Sequence, residues 1–167
     1  MSTTLAGTPA ANSGLPARKN LSPSPSRGEM RTGTVLLGSL TIPGRPEHVA
    51  DARAFAARTL GEGCAYADTV ILLTCELVTN SLQHSDSRRD GGTITVTLIA
   101  IPGGIRAEVI DAGGATVPAL RRALLELPEL TEGGRGLQLV DMLSARWNYC
   151  RDEAGTVTWF ELAEPAP

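Results

Sequence analysis

The stretch Thr74-Cys75-Glu76-Leu77-Val78-Thr79-Asn80-Ser81-Leu82-Gln83-His84 lies in the middle of the longest helix-like pattern in the chain. It spaces Glu76, Asn80 and His84 at successive i, i+4 positions. On a helix of 3.6 residues per turn each such step rotates by only about 40°, so the three share one face. With Glu76 as zero and roughly 100° per residue, Ile71, Val78 and Leu82 gather near the far side. The stretch therefore predicts a helix with an apolar stripe and, nearly opposite, a file made of a carboxylate, an amide and an imidazole. A solvated face is the ordinary explanation of such a file. Leu72 and Leu73 fall within the same sector, however, and a plain solvent face has little use for them. Another part of the chain is expected to cover it.

Working outward, the helix is expected over Asp68 to Ser85. Before it, Val49, Ala52, Ala56 and Leu60 recur at helical spacing, with Pro46 suited to the first turn and Gly61 to the stop. Before that, Thr34 to Ile42 reads as a strand ended by Pro43-Gly44. After the central helix, Asp90-Gly91-Gly92 breaks the chain, and Thr93 to Ala100 alternates as a strand does. Pro102-Gly103-Gly104 turns it back into a second strand, Ile105 to Ile110, which ends at Asp111-Ala112-Gly113-Gly114. Residues 115 to 133 are less regular, rich in Arg and Leu, with Pro118 and Pro128. Helical spacing resumes at Leu137, Val140 and Leu143, and two strands, near Trp147 to Arg151 and Thr156 to Leu162, flank a turn at Asp152 to Gly155. Residues 1–33 are rich in Ser, Pro, Thr, Gly and Ala, including Ser22-Pro23-Ser24-Pro25-Ser26. Such a segment buries too little apolar surface to offset its ordering entropy, so a disordered tail is expected, followed by one domain over 34–163. Antiparallel hairpins with helices able to cover one face make that domain an α+β, two-layer α/β sandwich.

At 167 residues the chain has enough length for one real core. Its hydrophobic share is 42% with only 4% aromatic, so the core is expected to be Leu, Val, Ile and Ala. A net charge of -3 provides no basic field for direct nucleic-acid contact. Lys19 is the only lysine, which leaves the folded part without an ammonium group for a phosphate. Cys64, Cys75 and Cys150 are odd in number and widely spaced, with no CxxC pair. They read as buried free thiols in a reducing cytoplasm rather than a zinc site or a disulfide framework. Neither a signal-peptide run nor a membrane-length apolar stretch is present, so a cytoplasmic protein with no membrane contact is expected.

Three islands carry the polar chemistry: Glu76 with Asn80, Asp111-Ala112-Gly113 at a strand end, and Gly133-Gly134-Arg135-Gly136 leading into a helix. Singly, each has an ordinary structural explanation. Asp-x-Gly is a common turn, and a glycine run before a helix is more often a loop than an anion site. Even so, free N–H groups at the positive end of a helix suit a phosphate. Neither the Walker lysine motif nor the dinucleotide GxGxxG is present.

In order and spacing the islands resemble the ATP-binding domain shared by gyrase, Hsp90, histidine kinases and MutL, the GHKL superfamily with its Bergerat-type nucleotide fold. More closely, the chain resembles the bacterial anti-sigma-factor serine/threonine kinases and their regulatory ATP-binding relatives. The stretch Glu76 to His84 is similar to the asparagine-bearing first box, Val109-Ile110-Asp111-Ala112-Gly113 to the second, and Gly134-Arg135-Gly136-Leu137-Gln138-Leu139-Val140 to the third. Thr156-Val157-Thr158-Trp159-Phe160 is similar to the closing strand. The likeness covers about residues 40 to 162. It implies a mostly antiparallel sheet covered by helices on one face, with ATP and Mg2+ as ligands. Asn80 would ligate Mg2+ through its amide oxygen, and the ion would bridge the phosphates. Asp111 would accept a hydrogen bond from the adenine amino group with Thr158 in support, and Gly113 would let the backbone pass close to the base. Gly134 and Gly136 would free N–H groups for phosphate oxygens, and Arg135 would add a charge-assisted contact. In the kinase members the glutamate matching Glu76 is the general base toward a partner's serine, and His84 matches a position at the pocket edge.

One departure stands out. Residues 115 to 132, where the family has a lid, are short and lysine-free, leaving Arg121, Arg122 and Arg135 as the cations for a terminal phosphate. The resemblance implies a serine kinase that sequesters a sigma factor or similar regulator and phosphorylates an antagonist protein, with a homodimer left open. An ATP-holding module that regulates by contact alone is the other reading, and Glu76 is what separates them, since binding needs no base. The catalytic half of a histidine kinase fits poorly, because the chain has no room for a phosphoacceptor helix pair.

Overall fold

The computed structural model describes residues 33–115 and 136–163. The Ser/Pro-rich segment before Gly33 and the stretch from 116 to 135 lie outside them. Strand β1 (Val35–Pro43) leads through a single 3-10 turn (Pro46–His48) into helix α1 (Val49–Leu60). Helix α2 (Ala67–His84) follows, then a second 3-10 turn (Asp86–Arg88), β2 (Thr93–Ile101) and β3 (Gly104–Asp111). Helix α3 (Gly136–Leu143) precedes β4 (Arg146–Asp152) and β5 (Gly155–Ala163). The breakers act where expected: Pro46 opens the turn before α1, and Gly61 closes α1 with φ 69. Gly103, with φ 71, turns β2 into β3.

The five strands form one sheet in the order β1-β2-β3-β5-β4, and every pairing is antiparallel. This is the expected α+β sandwich. One face of the sheet supplies Ile42, Ile94, Val96, Leu98, Ile105, Ala107, Val109, Phe160 and Leu162 to the core. The helices close that face with Ala52, Phe55 and Ala56 of α1, Val70 to Leu82 of α2, and Leu137 and Val140 of α3. Aliphatic residues dominate, as composition implied, although both phenylalanines also sit there. Helix α2 touches α1, α3, β2 and β3, so it buries a broad arc rather than one stripe. Leu73, Thr74 and Ser81 are therefore buried with Val78 and Leu82, while Ile71 is only half-buried and Leu72 is exposed. The polar sector is thus covered on the Leu73 side and open on the Leu72 side.

The other face of the sheet carries polar residues. Ser39 and Thr97 pair their hydroxyls at 3.2 Å, and Thr41 and Thr95 theirs at 2.9 Å. Across β3, β5 and β4 runs a row of charge in register, Arg106 opposite Glu161 and Glu161 opposite Arg146. Arg106 donates to Glu161 at 3.1 Å and to Glu108 at 2.7 Å, and its guanidinium lies 3.9 Å from the Trp159 ring centroid. Arg146 completes the row through Glu161. The cysteines differ from expectation: all are free, but only Cys75 is buried, Cys64 is half-buried and Cys150 is exposed. Cys150 lies on the edge strand β4 opposite Val157, in the register that faces away from the helices. No helix among the described residues is long and apolar enough to cross a membrane.

Candidate functional site

Asp111 is the last residue of β3, in the register that faces the helices, and is 8% exposed. A buried carboxylate needs donors, and it has two. The Ser81 hydroxyl donates to Oδ2 at 2.6 Å, and the Gly113 N–H donates to Oδ1 at 2.8 Å. Gly113 has φ 72, the left-handed conformation that lets the loop fold back onto its own aspartate. The loop is tied to the 86–88 turn as well. The Ala112 N–H donates to Ser87 Oγ at 2.8 Å, and the Asp86 N–H donates to the Gly113 carbonyl. From the other side Gly155 presses in, and a Cβ there would stand 2.0 Å from the Asp111 carbonyl oxygen.

The closing strand aligns Thr156 with Asp111 and Thr158 with Val109. Both threonines face the helices and are 3% exposed, so Thr158 is the diagonal neighbour of Asp111 and Thr156 its direct partner. The sequence reading missed Ser81, Ser87 and Thr156. For Ser81 a signal was available, because it falls about 140° around α2 from Glu76, on the core side, where a hydroxyl demands a partner.

Glu76 and Asn80 are half-buried, one turn apart on α2. What packs against Glu76 is α3. A Cβ on Gly136, its first residue, would lie 2.8 Å from Glu76 Oε2 and 3.4 Å from Glu76 Cβ. The Glu76 carboxylate therefore packs against the first described turn of α3. His84 does not stay with the other two. It is exposed at the end of α2, and its backbone carbonyl is what the Asp111 loop meets, 2.3 Å from where a Gly114 Cβ would be. Gly134 and Arg135 lie outside the described residues, as do Arg121 and Arg122.

Beside Glu76, burial pushes the Cys75 thiol up from its ordinary value. The positive charge and hydrogen bond of Arg53 pull it back, and the Glu76 charge adds to the rise. Among the described residues no three His, Cys, Asp or Glu side chains gather as a metal cluster. The Asn80 amide oxygen is a hard donor that suits Mg2+ when phosphate and water complete its shell. The arrangement thus sets an acceptor-only carboxylate at one end and, one to two turns back along α2, an amide and a carboxylate at the other. A ligand with an amino donor at one end and phosphates at the other matches both.

The histidine kinase-like ATPase domain family matches residues 42–162. Among solved structures, the chain is similar to the crystal structure of the RsbU and RsbW domains of Rv1364c from Mycobacterium tuberculosis. The two share 20% identity at a TM-score of 0.54, over 77% of this chain and 34% of that one. At that identity the likeness is one of fold, and this chain spans about a third of the other's length. No curated protein matches the chain.

Proposed function

The chain belongs to the histidine kinase-like ATPase domain family, and from that premise we propose that it is an ATP-binding serine kinase of the partner-switching kind. It would sequester a sigma factor or similar regulator in the cytoplasm and phosphorylate a serine on an antagonist protein, without contacting nucleic acid or membrane; a homodimer is compatible with this. One observation carries the reading: Glu76 and Asn80 share a face of α2, Gly136 of α3 packs against Glu76, and Ser81 fixes Asp111 toward the C-terminal end of the same helix. Asp111 accepts a hydrogen bond from the adenine amino group, with Thr158 beside it. Backbone N–H groups at Gly134 and Gly136 and the Arg135 guanidinium bind phosphate oxygens. Asn80 would hold Mg2+, which offsets phosphate charge when bound. His84, exposed at the helix end, is left with at most a contact at the pocket edge.

In the transfer, Glu76 takes the proton of the partner's serine hydroxyl, and the serine oxygen bonds to the γ-phosphorus. The bond from that phosphorus to the β–γ bridging oxygen breaks, and ADP leaves with the electron pair. General-base help of this kind contributes roughly 10²- to 10⁴-fold in rate. The test is incubation with labelled ATP, Mg2+ and antagonist proteins recovered by pull-down. Label is expected on a partner serine, and Glu76→Gln should abolish transfer while leaving nucleotide binding intact. ATP binding by the wild type with no labelled partner would replace this reading with regulation by contact alone.

A further inference from the structure

We infer that Ser81 is a positioning residue that fixes Asp111 for a 6-amino purine, so that its hydroxyl sets the preference of the site for adenine over a 6-oxo base. The inference rests on the ATP reading above and adds a specificity determinant to it. An ionised carboxylate offers about four acceptor positions. Two on Asp111 are already taken, one by its own loop at Gly113 and one by Ser81. The first bond comes from backbone and restrains the loop. The second comes from a different element, 30 residues away, and fixes how the carboxylate is turned.

A serine inside a helix has a local alternative, the carbonyl four residues back. Ser81 reaches across to Asp111 instead. Thr74, two turns earlier on nearly the same face of α2, shows what that face supplies by default, because its buried hydroxyl has no partner among the described residues. The Ser81 bond is therefore specific to the meeting with Asp111. With its proton committed to Oδ2, the Ser81 oxygen faces anything else as an acceptor, and so does the carboxylate. The pair presents lone pairs only. An amino group at the purine 6-position donates into it. A 6-oxo group sets lone pair against lone pair where Asp111 is 8% and Ser81 3% exposed, with little water to compensate. Ser81 also follows Asn80 directly, so the residue that fixes Asp111 and the amide proposed for Mg2+ lie on one turn of α2.

The test is calorimetric titration of the full chain with ATP and with inosine triphosphate, which differs at this edge, in the wild type and in Ser81→Ala, Ser81→Cys and Ser81→Thr. The wild type should prefer ATP. Ser81→Ala should lose roughly 10- to 100-fold in ATP affinity with far less change for inosine triphosphate, so the ratio collapses. Ser81→Cys, similar in shape but a weak donor, should fall with alanine. Ser81→Thr, which keeps the hydroxyl, should side with the wild type. An equal loss for both nucleotides, or an unchanged ratio in the alanine and cysteine variants, would overturn the inference while leaving ATP binding in place. A wild type that binds neither nucleotide would overturn the ATP reading itself and this inference with it.

Discussion

Gly136 and Glu76 meet where an added methyl group would harm chemistry more than stability. The Cβ of Gly136→Ala would stand 2.8 Å from Glu76 Oε2, the far end of a flexible side chain that can swing aside. Alanine is also the better helix former by about 1 kcal/mol, which offsets part of the crowding. Gly136→Ala is therefore expected to change the unfolding free energy by no more than about 1 kcal/mol. Phosphoryl transfer should fall by roughly 10-fold or more, because a displaced base loses its alignment. Parallel melting and transfer assays check this, and an unimpaired transfer rate would mean Glu76 is not the base. Next to it, Cys75 gives a pH prediction. Burial, with Glu76 adding, holds its thiol above the ordinary 9.0 despite Arg53. The folded state therefore favours the neutral thiol, a contribution present below about pH 9 and lost as pH rises through the raised folded value. The alkaline fall in melting temperature should be shallower in Cys75→Ala than in the wild type.

Among the elements, the Asp111 loop is the one held from most sides, by α2, by the 86–88 turn and by the start of β5. Gly155 is the tightest of those contacts. It has φ 142, and its Cβ would be 2.0 Å from the Asp111 carbonyl oxygen, which is backbone and cannot yield. Gly155→Ala is expected to cost about 2–4 kcal/mol, from strained backbone plus overpacking. It should also abolish nucleotide binding, measured by denaturant midpoint and by calorimetry. The sequence made most of this framework legible. Pro46, Gly61 and Gly103 mark boundaries by mechanisms that act locally, and the spacing in α1, α2 and α3 was enough to place them. The 86–88 turn was not legible. Asp86 and Ser87 are polar and carry no sequence signal for burial, yet Ser87 is fully buried. Its carbonyl fits only because Gly44 and Gly92 lack side chains, where a Cβ would stand 1.9 and 2.0 Å away. That fit joins Ser87 to Gly92 nearby and to Gly44 about forty positions away, and no local pattern records the second.

At the scale of the whole molecule, strand order decides which residues meet, and order is a non-local property. The likeness in the closing strand pointed to Thr158, whereas the register puts Thr156 opposite Asp111. The same register explains how β3 and β5 carry two kinds of chemistry at once. Side chains alternate faces along a strand, so Asp111, Thr156 and Thr158 look toward the helices while Arg106, Glu108, Trp159 and Glu161 look away. A slip of one residue would exchange the two sets. Glu161 anchors the outward set. It is 5% exposed and serves two arginines, Arg106 in β3 and Arg146 in β4. Removing one partner of a buried ion pair typically costs about 3–5 kcal/mol. Here Arg106 keeps Glu108 and the Trp159 ring, and Arg146 is 31% exposed, so Glu161→Ala is expected to cost less, about 2 kcal/mol. Because the row lies on the face away from Asp111, ATP affinity measured well below the melting transition should stay within about twofold of the wild type. A large drop in affinity in a folded Glu161→Ala protein would show that the two faces of the sheet are coupled through β3 and β5, and that the outward charge row belongs to the binding machinery.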